Sequence, residues 1–171
     1  NASSGAAIFS NKDTSIVLSN IKVLHNESQI NGGGVSINRL VGTALLDSLT
    51  VIDNEISGQY GGGLYSFDSS IKIENSKFSQ NKSVDRGAGM YFEGDGDQIN
   101  LKDSLYVNNV HFESNSFKAD VNGSLSSEQF GGGLSIRLPG YGDAFIDNSL
   151  FISNSGKSGS ALYTYRGYGS W

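Results

Sequence analysis

The chain has 171 residues, a net charge of −5, no cysteine, one proline and 23 glycines. The length fits one domain. An acidic balance without a basic cluster excludes nucleic-acid binding through a positive stripe, no apolar run is long enough to span a bilayer, and the missing thiols exclude cysteine chemistry and Cys-ligated metals.

In chain order, two short motifs alternate. Gly5-Ala6-Ala7-Ile8 opens the chain, followed by Asn20, Val23 and Asn26 in an Asn-x-x-apolar-x-x-Asn pattern. Gly32-Gly33-Gly34-Val35 precedes Ser48, Val51 and Asn54, and Gly61-Gly62-Gly63-Leu64 precedes Asn75, Phe78 and Asn81. Gly87-Ala88-Gly89-Met90 then leads to Asn109, Phe112 and Asn115. Gly131-Gly132-Gly133-Leu134 leads to Asn148, Phe151 and Asn154, and Gly159-Ser160-Ala161-Leu162 begins one more copy. The apolar markers stand 27, 29, 26, 44 and 28 residues apart from Ile8 to Leu162. A period of this size is the signature of a stacked repeat protein. The long interval must hold insertions, expected at Glu93–Asn100 and Ser116–Phe130.

Within one repeat, Leu64-Tyr65-Ser66-Phe67 alternates as a strand, Asp68-Ser69-Ser70 is turn chemistry, and Ile71-Lys72-Ile73 alternates again. A third short strand carries Phe78 between Asn75 and Asn81. No stretch has a helical period. The expected fold is therefore all-β: a right-handed, single-stranded parallel β-helix of about six coils with three short strands each, one domain over residues 1–171. Equivalent side chains then form ladders at strand spacing, about 4.8 Å. Val23, Val51, Phe78, Phe112 and Phe151 are expected to point inward beside Leu18, Leu46, Ile73, Val107 and Ile146. Asn26, Asn54, Asn81, Asn115 and Asn154 are expected at corners, in left-handed backbone and with amides bonded to the copies above and below. The glycine groups mark a corner too tight for a Cβ. All these columns read as fold rather than site.

The pairing of Gly-Gly-Ala/Gly-apolar with Phe78-Asn81, Phe112-Asn115 and Phe151-Asn154 resembles the repeats of the chlamydial polymorphic outer-membrane proteins. Val23 and Val51 replace the Phe of that pattern, and Gly often stands where Ala is usual. The resemblance covers nearly the whole chain. It implies a passenger segment of a surface adhesin or autotransporter, extracellular or at the cell surface and associated with an outer membrane.

Catalysis is not expected. Parallel β-helix enzymes place paired carboxylates, or a Ca²⁺ site with an Arg base, in a cleft. Here no Asp-Asp pair occurs, the Asn-Thr-Asp and Gly-His-Gly patterns of pectin hydrolases are missing, and His25 and His111 stand far apart. Glu93, Asp95 and Asp97, with Asn100 behind them, form an acidic glycine-spaced loop that could offer oxygen ligands to Ca²⁺; the plainer reading is a solvated loop, and no other cofactor is implied. The residues after the markers, Phe9, Ser36, Tyr65, Tyr91, Ser135 and Tyr163, form an outward column. Tyr65, Tyr91 and Tyr163 could stack on sugars or anchor a protein, against the plainer reading of rings stacked between coils. The tail adds Tyr165, Tyr168 and Trp171. Asn-x-Ser sequons stand at Asn1, Asn26, Asn81 and Asn122. Asn26 and Asn81 fall in the corner ladder, where a glycan is hard to fit; in a eukaryotic source Asn122 is the expected glycan acceptor, and it is also expected to face a partner.

Neither end carries an evident cap, so the chain reads as a slice of a longer solenoid or a unit that stacks end to end. The expected function is a β-helical scaffold that binds a protein receptor or surface glycan through its insertions. The alternatives are a self-assembling filament or sheath subunit and a polysaccharide lyase or hydrolase.

Overall fold

The computed structural model describes residues 6–94, 103–138 and 142–166. Among these the chain is all-β. The strands run β1 (Ile8–Asn11), β2 (Ile16–Ser19), β3 (Lys22–Leu24) and β4 (Glu27–Ser28), then β5 (Val35–Asn38), β6 (Thr43–Asp47), β7 (Thr50–Ile52) and β8 (Glu55–Ile56). The next are β9 (Leu64–Phe67), β10 (Ser70–Glu74), β11 (Lys77–Ser79), β12 (Lys82–Ser83), β13 (Met90–Glu93), β14 (Ser104–Asn108), β15 (His111–Glu113) and β16 (Ser116–Phe117). Last come β17 (Leu134–Arg137), β18 (Asp143–Asp147), β19 (Leu150–Ile152) and β20 (Leu162–Tyr165).

These strands form four parallel sheets. Sheet A has the order β1-β5-β9-β13-β17-β20, sheet B β2-β6-β10-β14-β18, sheet C β3-β7-β11-β15-β19 and sheet D β4-β8-β12-β16. The chain visits A, B, C and D in turn, so each strand pairs with its counterpart one repeat away, as in a solenoid. A full repeat holds four strands, not the three expected. The fourth, in sheet D, is only two residues long and lies just after the ladder asparagine, too short for alternation to reveal.

The expected register is observed. Ile8, Val35, Leu64, Met90, Leu134 and Leu162 align in sheet A. Leu18, Leu46, Ile73, Val107 and Ile146 align in sheet B. Val23, Val51, Phe78, Phe112 and Phe151 align in sheet C. All three columns turn into one core. Phe78, Phe112 and Phe151 stack with ring centroids 5.3 and 4.9 Å apart, each pair adding about 1 kcal/mol beyond burial.

Every corner carries a column of left-handed backbone. One is Gly32, Gly61, Gly87, Gly131 and Gly159; another is Asn20, Ser48, Asn75, Asn109 and Asn148. The ladder asparagines themselves are not left-handed, contrary to expectation. The residue before each one is: His25, Asp53, Gln80, Ser114 and Ser153, all with φ between 52° and 57°. That bend frees the asparagine to turn its amide into the stack. A Cβ at Gly63 would collide with the Gly89 carbonyl oxygen and press on the Asn81 amide, so the glycine corner and the asparagine ladder pack against each other.

The ladder is directional. The backbone N–H and Nδ2 of Asn54 both donate to Asn81 Oδ1, at 3.0 and 3.1 Å, and Nδ2 also donates to the Val23 carbonyl at 2.9 Å. Asn81 repeats this toward Asn115 and Val51, and Asn115 toward Asn154 and Phe78. Asn26 donates to Asn54 in the same way. Asn54, Asn81 and Asn115 are fully buried.

Replacing Asn81 by Ala strands the Asn54 N–H and the Val51 carbonyl in the interior, and should cost about 3 kcal/mol or more in chemical denaturation. Ser66 has the opposite sign. Its buried hydroxyl lies between Ile37 and Phe92 and has no partner, so Ser66→Ala should stabilise by about 1 kcal/mol.

Candidate functional site

The outer face of sheet A is a grid of aromatic and charged side chains. Tyr65, Tyr91, Ser135 and Tyr163 share one column, and Phe67, Glu93, Arg137 and Tyr165 a second. Tyr60, Arg86, Phe130 and Ser158 align beside them, just ahead of the glycine corners. Tyr91 stacks on Tyr60 at 4.8 Å and on Tyr65 at 5.9 Å, with interplanar angles of 22° and 7°. Phe130 stacks on Tyr163 at 4.6 Å.

This overturns the reading of Tyr91 as a partner contact. Tyr91 is 0% exposed: Tyr60 and Tyr65 stack on its ring and Glu93 takes its hydroxyl. Tyr65 and Tyr163 are half-buried for the same reason. Ring faces used within the stack are not open to a sugar.

The charges of the grid are paired internally as well, although the Nε groups of Arg86 and Arg137 are buried without a hydrogen-bond partner. Arg137 Nη1 lies 2.5 Å from Glu93 Oε1, and the Tyr91 hydroxyl donates to Glu93 Oε2 at 3.1 Å. Arg86 pairs with Glu128, and its guanidinium carbon lies 5.8, 5.5 and 5.9 Å from the rings of Tyr60, Phe130 and Tyr165. Burial, reinforced by the Glu93 charge, pushes the Tyr65 and Tyr91 phenols well above their usual range. Glu93, proposed for Ca²⁺, is thus committed to Arg137 and Tyr91. Asp95, Asp97, Tyr168 and Trp171, and the Asn1 sequon, lie outside the described residues. Among the described residues no cluster of three or more His, Asp or Glu is placed to hold a metal.

The second insertion is shorter than expected. Ser116 and Phe117 are β16, paired with Lys82 and Ser83 of β12, and Phe130 bridges Arg86 and Ser158 within the stack. The segment outside the sheets is 118–129. Asp120 organises it: Oδ1 accepts the N–H groups of Asn122 and Ser124 at 2.9 and 2.8 Å. Asn122 is exposed at the tip, whereas the Asn26 and Asn81 amides are held in the ladder. Two lysines anchor the base, Lys118 to Glu55 at 2.5 Å and Lys157 to the Ser126 carbonyl at 2.7 Å.

Between this segment and the corner beyond sheet D lies a groove of about 340 Å³ with a mixed lining that includes Val84 and Leu125. Its walls include Ser57, Gln59, Asp85, Asp120, Ser124 and Ser126. Asp85 is 9% exposed. Its backbone is pinned between repeats, N–H to the Gln59 carbonyl at 2.9 Å and carbonyl to the Phe130 N–H at 3.0 Å. Among the described residues its carboxylate has no partner. Sequence reasoning missed Asp85, because nothing in its own repeat marks it. Only the distant insertion turns that corner into a groove.

The two histidines are surface features. His25 Nδ1 lies 2.9 Å from Asp53 Oδ2 across one repeat, with both side chains exposed, and His111 is exposed on sheet C. No described helix is long and apolar enough to cross a membrane. No family model, curated protein or solved structure matches the chain.

Because the Tyr65 and Tyr91 phenols are raised in the fold, the unfolded chain holds fewer protons once pH passes the ordinary phenol value of about 10. Stability should be intact below that pH and fall as pH rises beyond it, with tyrosinate absorbance developing as the protein unfolds. Tyr91→Ala should cost about 3–5 kcal/mol in denaturation, as for a core aromatic.

Proposed function

We propose that the chain is a segment of an extracellular or cell-surface scaffold, the passenger of an adhesin or autotransporter, that binds a surface partner through its 118–129 insertion. The scaffold would be a right-handed parallel β-helix of about six coils, in keeping with the six strands of sheet A. One observation carries the functional half of this reading. On sheet A, where the repeat is regular, the aromatic and charged side chains are engaged with one another; where the 118–129 segment interrupts the repeat, a groove remains with a carboxylate that nothing within the described residues neutralises. Loops on rigid scaffolds carry recognition for this reason. The resemblance of the repeats to outer-membrane surface proteins favours the same location.

End-to-end stacking is a second reading with its own support. At one edge the Asn154 backbone N–H has no acceptor among the described residues, and at the other Asn26 Oδ1 has no donor. A second copy, or further repeats of the same chain, would join the two in register.

Excising 118–129 with a short glycine-serine join should abolish attachment to the cognate surface by at least tenfold while leaving the thermal midpoint nearly unchanged. Unchanged attachment by a folded deletion variant would refute the proposal. Concentration-dependent fibres in sedimentation would favour the stacking reading instead.

A further inference from the structure

We propose that the groove beneath the 118–129 segment binds a protonated hexosamine, with Asp85 as the counter-ion of its ammonium group. This rests on the recognition role just given to that segment and names its ligand chemistry. Asp85 is nine-tenths buried, lines the groove and has no partner among the described residues. Its carboxylate opens onto the groove rather than into the core, so it is a recessed negative charge that a positive group from outside can reach.

Among the described residues no lysine or arginine pairs with Asp85. Arg86, next in sequence, is held by Glu128 and the rings of Tyr60 and Phe130. Lys118 is held by Glu55, and Lys157 donates to the Ser126 carbonyl. The second carboxylate on the groove, Asp120, uses only Oδ1 within its own turn, so both acidic walls favour a cation.

The rest of the lining selects what carries that cation. Ser57, Ser124, Ser126 and Gln59 line the groove beside Val84 and Leu125, so ring hydroxyls can find polar partners while the carbon face of the ring meets the two apolar side chains. An alkyl ammonium could use the two apolar side chains but would leave the serines and Gln59 without partners. A volume of about 340 Å³ falls at the small end of ligand sites, enough for one or two sugar rings. Ring stacking contributes little, since the aromatic faces of sheet A are already occupied.

The test is calorimetric titration of the folded chain with D-glucosamine, alongside D-glucose, N-acetylglucosamine, Nα-acetyl-lysine amide and calcium chloride. Glucosamine should bind, the two uncharged sugars at least about tenfold more weakly, and the lysine amide more weakly than glucosamine. Asp85→Asn should reduce glucosamine affinity by a similar factor and, with no ligand present, slightly raise the thermal midpoint, because it removes a recessed, unpaired negative charge from a groove that also holds Asp120. Ser124→Ala should weaken glucosamine without that rise. Equal binding of glucose and glucosamine, or indifference to Asp85→Asn, overturns the proposal. So does lysine amide matching glucosamine, or calcium occupying the groove in its place. A chain that attaches to its surface through 118–129 but ignores glucosamine overturns the ligand class alone. Attachment that survives loss of 118–129 overturns the reading beneath it.

Discussion

One side-chain amide, repeated at every turn of the chain, is the interaction on which the rest depends. Between sheets C and D the backbone bends through a left-handed residue, and the strand ladder breaks there. Asn54, Asn81 and Asn115 repair the break, each offering its Oδ1 to two donors of the neighbouring repeat and its Nδ2 to a carbonyl of that repeat or the next. A corner that would otherwise hold orphaned polar groups becomes a buried, satisfied column. The apolar columns of Val51, Phe78 and Phe112 can then close over it, since the same asparagines fix their register.

That arrangement decides which side chains are left unengaged by the fold. Stacking equivalent residues makes each outward side chain the neighbour of its own copies. On sheet A this turns Tyr60, Tyr65 and Tyr91 into a stack whose faces serve the protein, and it closes the Glu93–Arg137 and Arg86–Glu128 pairs across repeats. Chemistry left over from the fold collects where one repeat departs from the next. The 118–129 segment is such a departure. Asp85, ordinary in its own repeat, gains significance only because that segment folds over it.

Most of the fold was legible in the sequence, because stacking forces the same residue type into the same place. Marker residues, the Phe column and the asparagine ladder were all readable from spacing, and their registers follow it. What escaped notice was local or distant. Sheet D is two residues wide, below the length at which alternation has meaning. The left-handed residue before each ladder asparagine varies among His, Asp, Gln and Ser, so identity gave no signal for it. Tyr91 read as an outward residue, and it does leave the core, but alternation cannot report that Tyr60 from the preceding corner covers it. The Asp85 groove depends on a segment more than thirty positions later in the chain, a juxtaposition no periodicity contains.

Amide hydrogen exchange resolved by residue tests the asparagine ladder most directly. The backbone N–H groups of Asn54, Asn81 and Asn115 donate to side-chain oxygens rather than to a strand, yet they should exchange only with global unfolding, as slowly as the N–H groups of β10 and β14. Those of 121–128 should exchange orders of magnitude faster. Asparagine N–H groups that exchange at the rate of the 121–128 segment would contradict the account, since the corners would then be held by something other than the amide column.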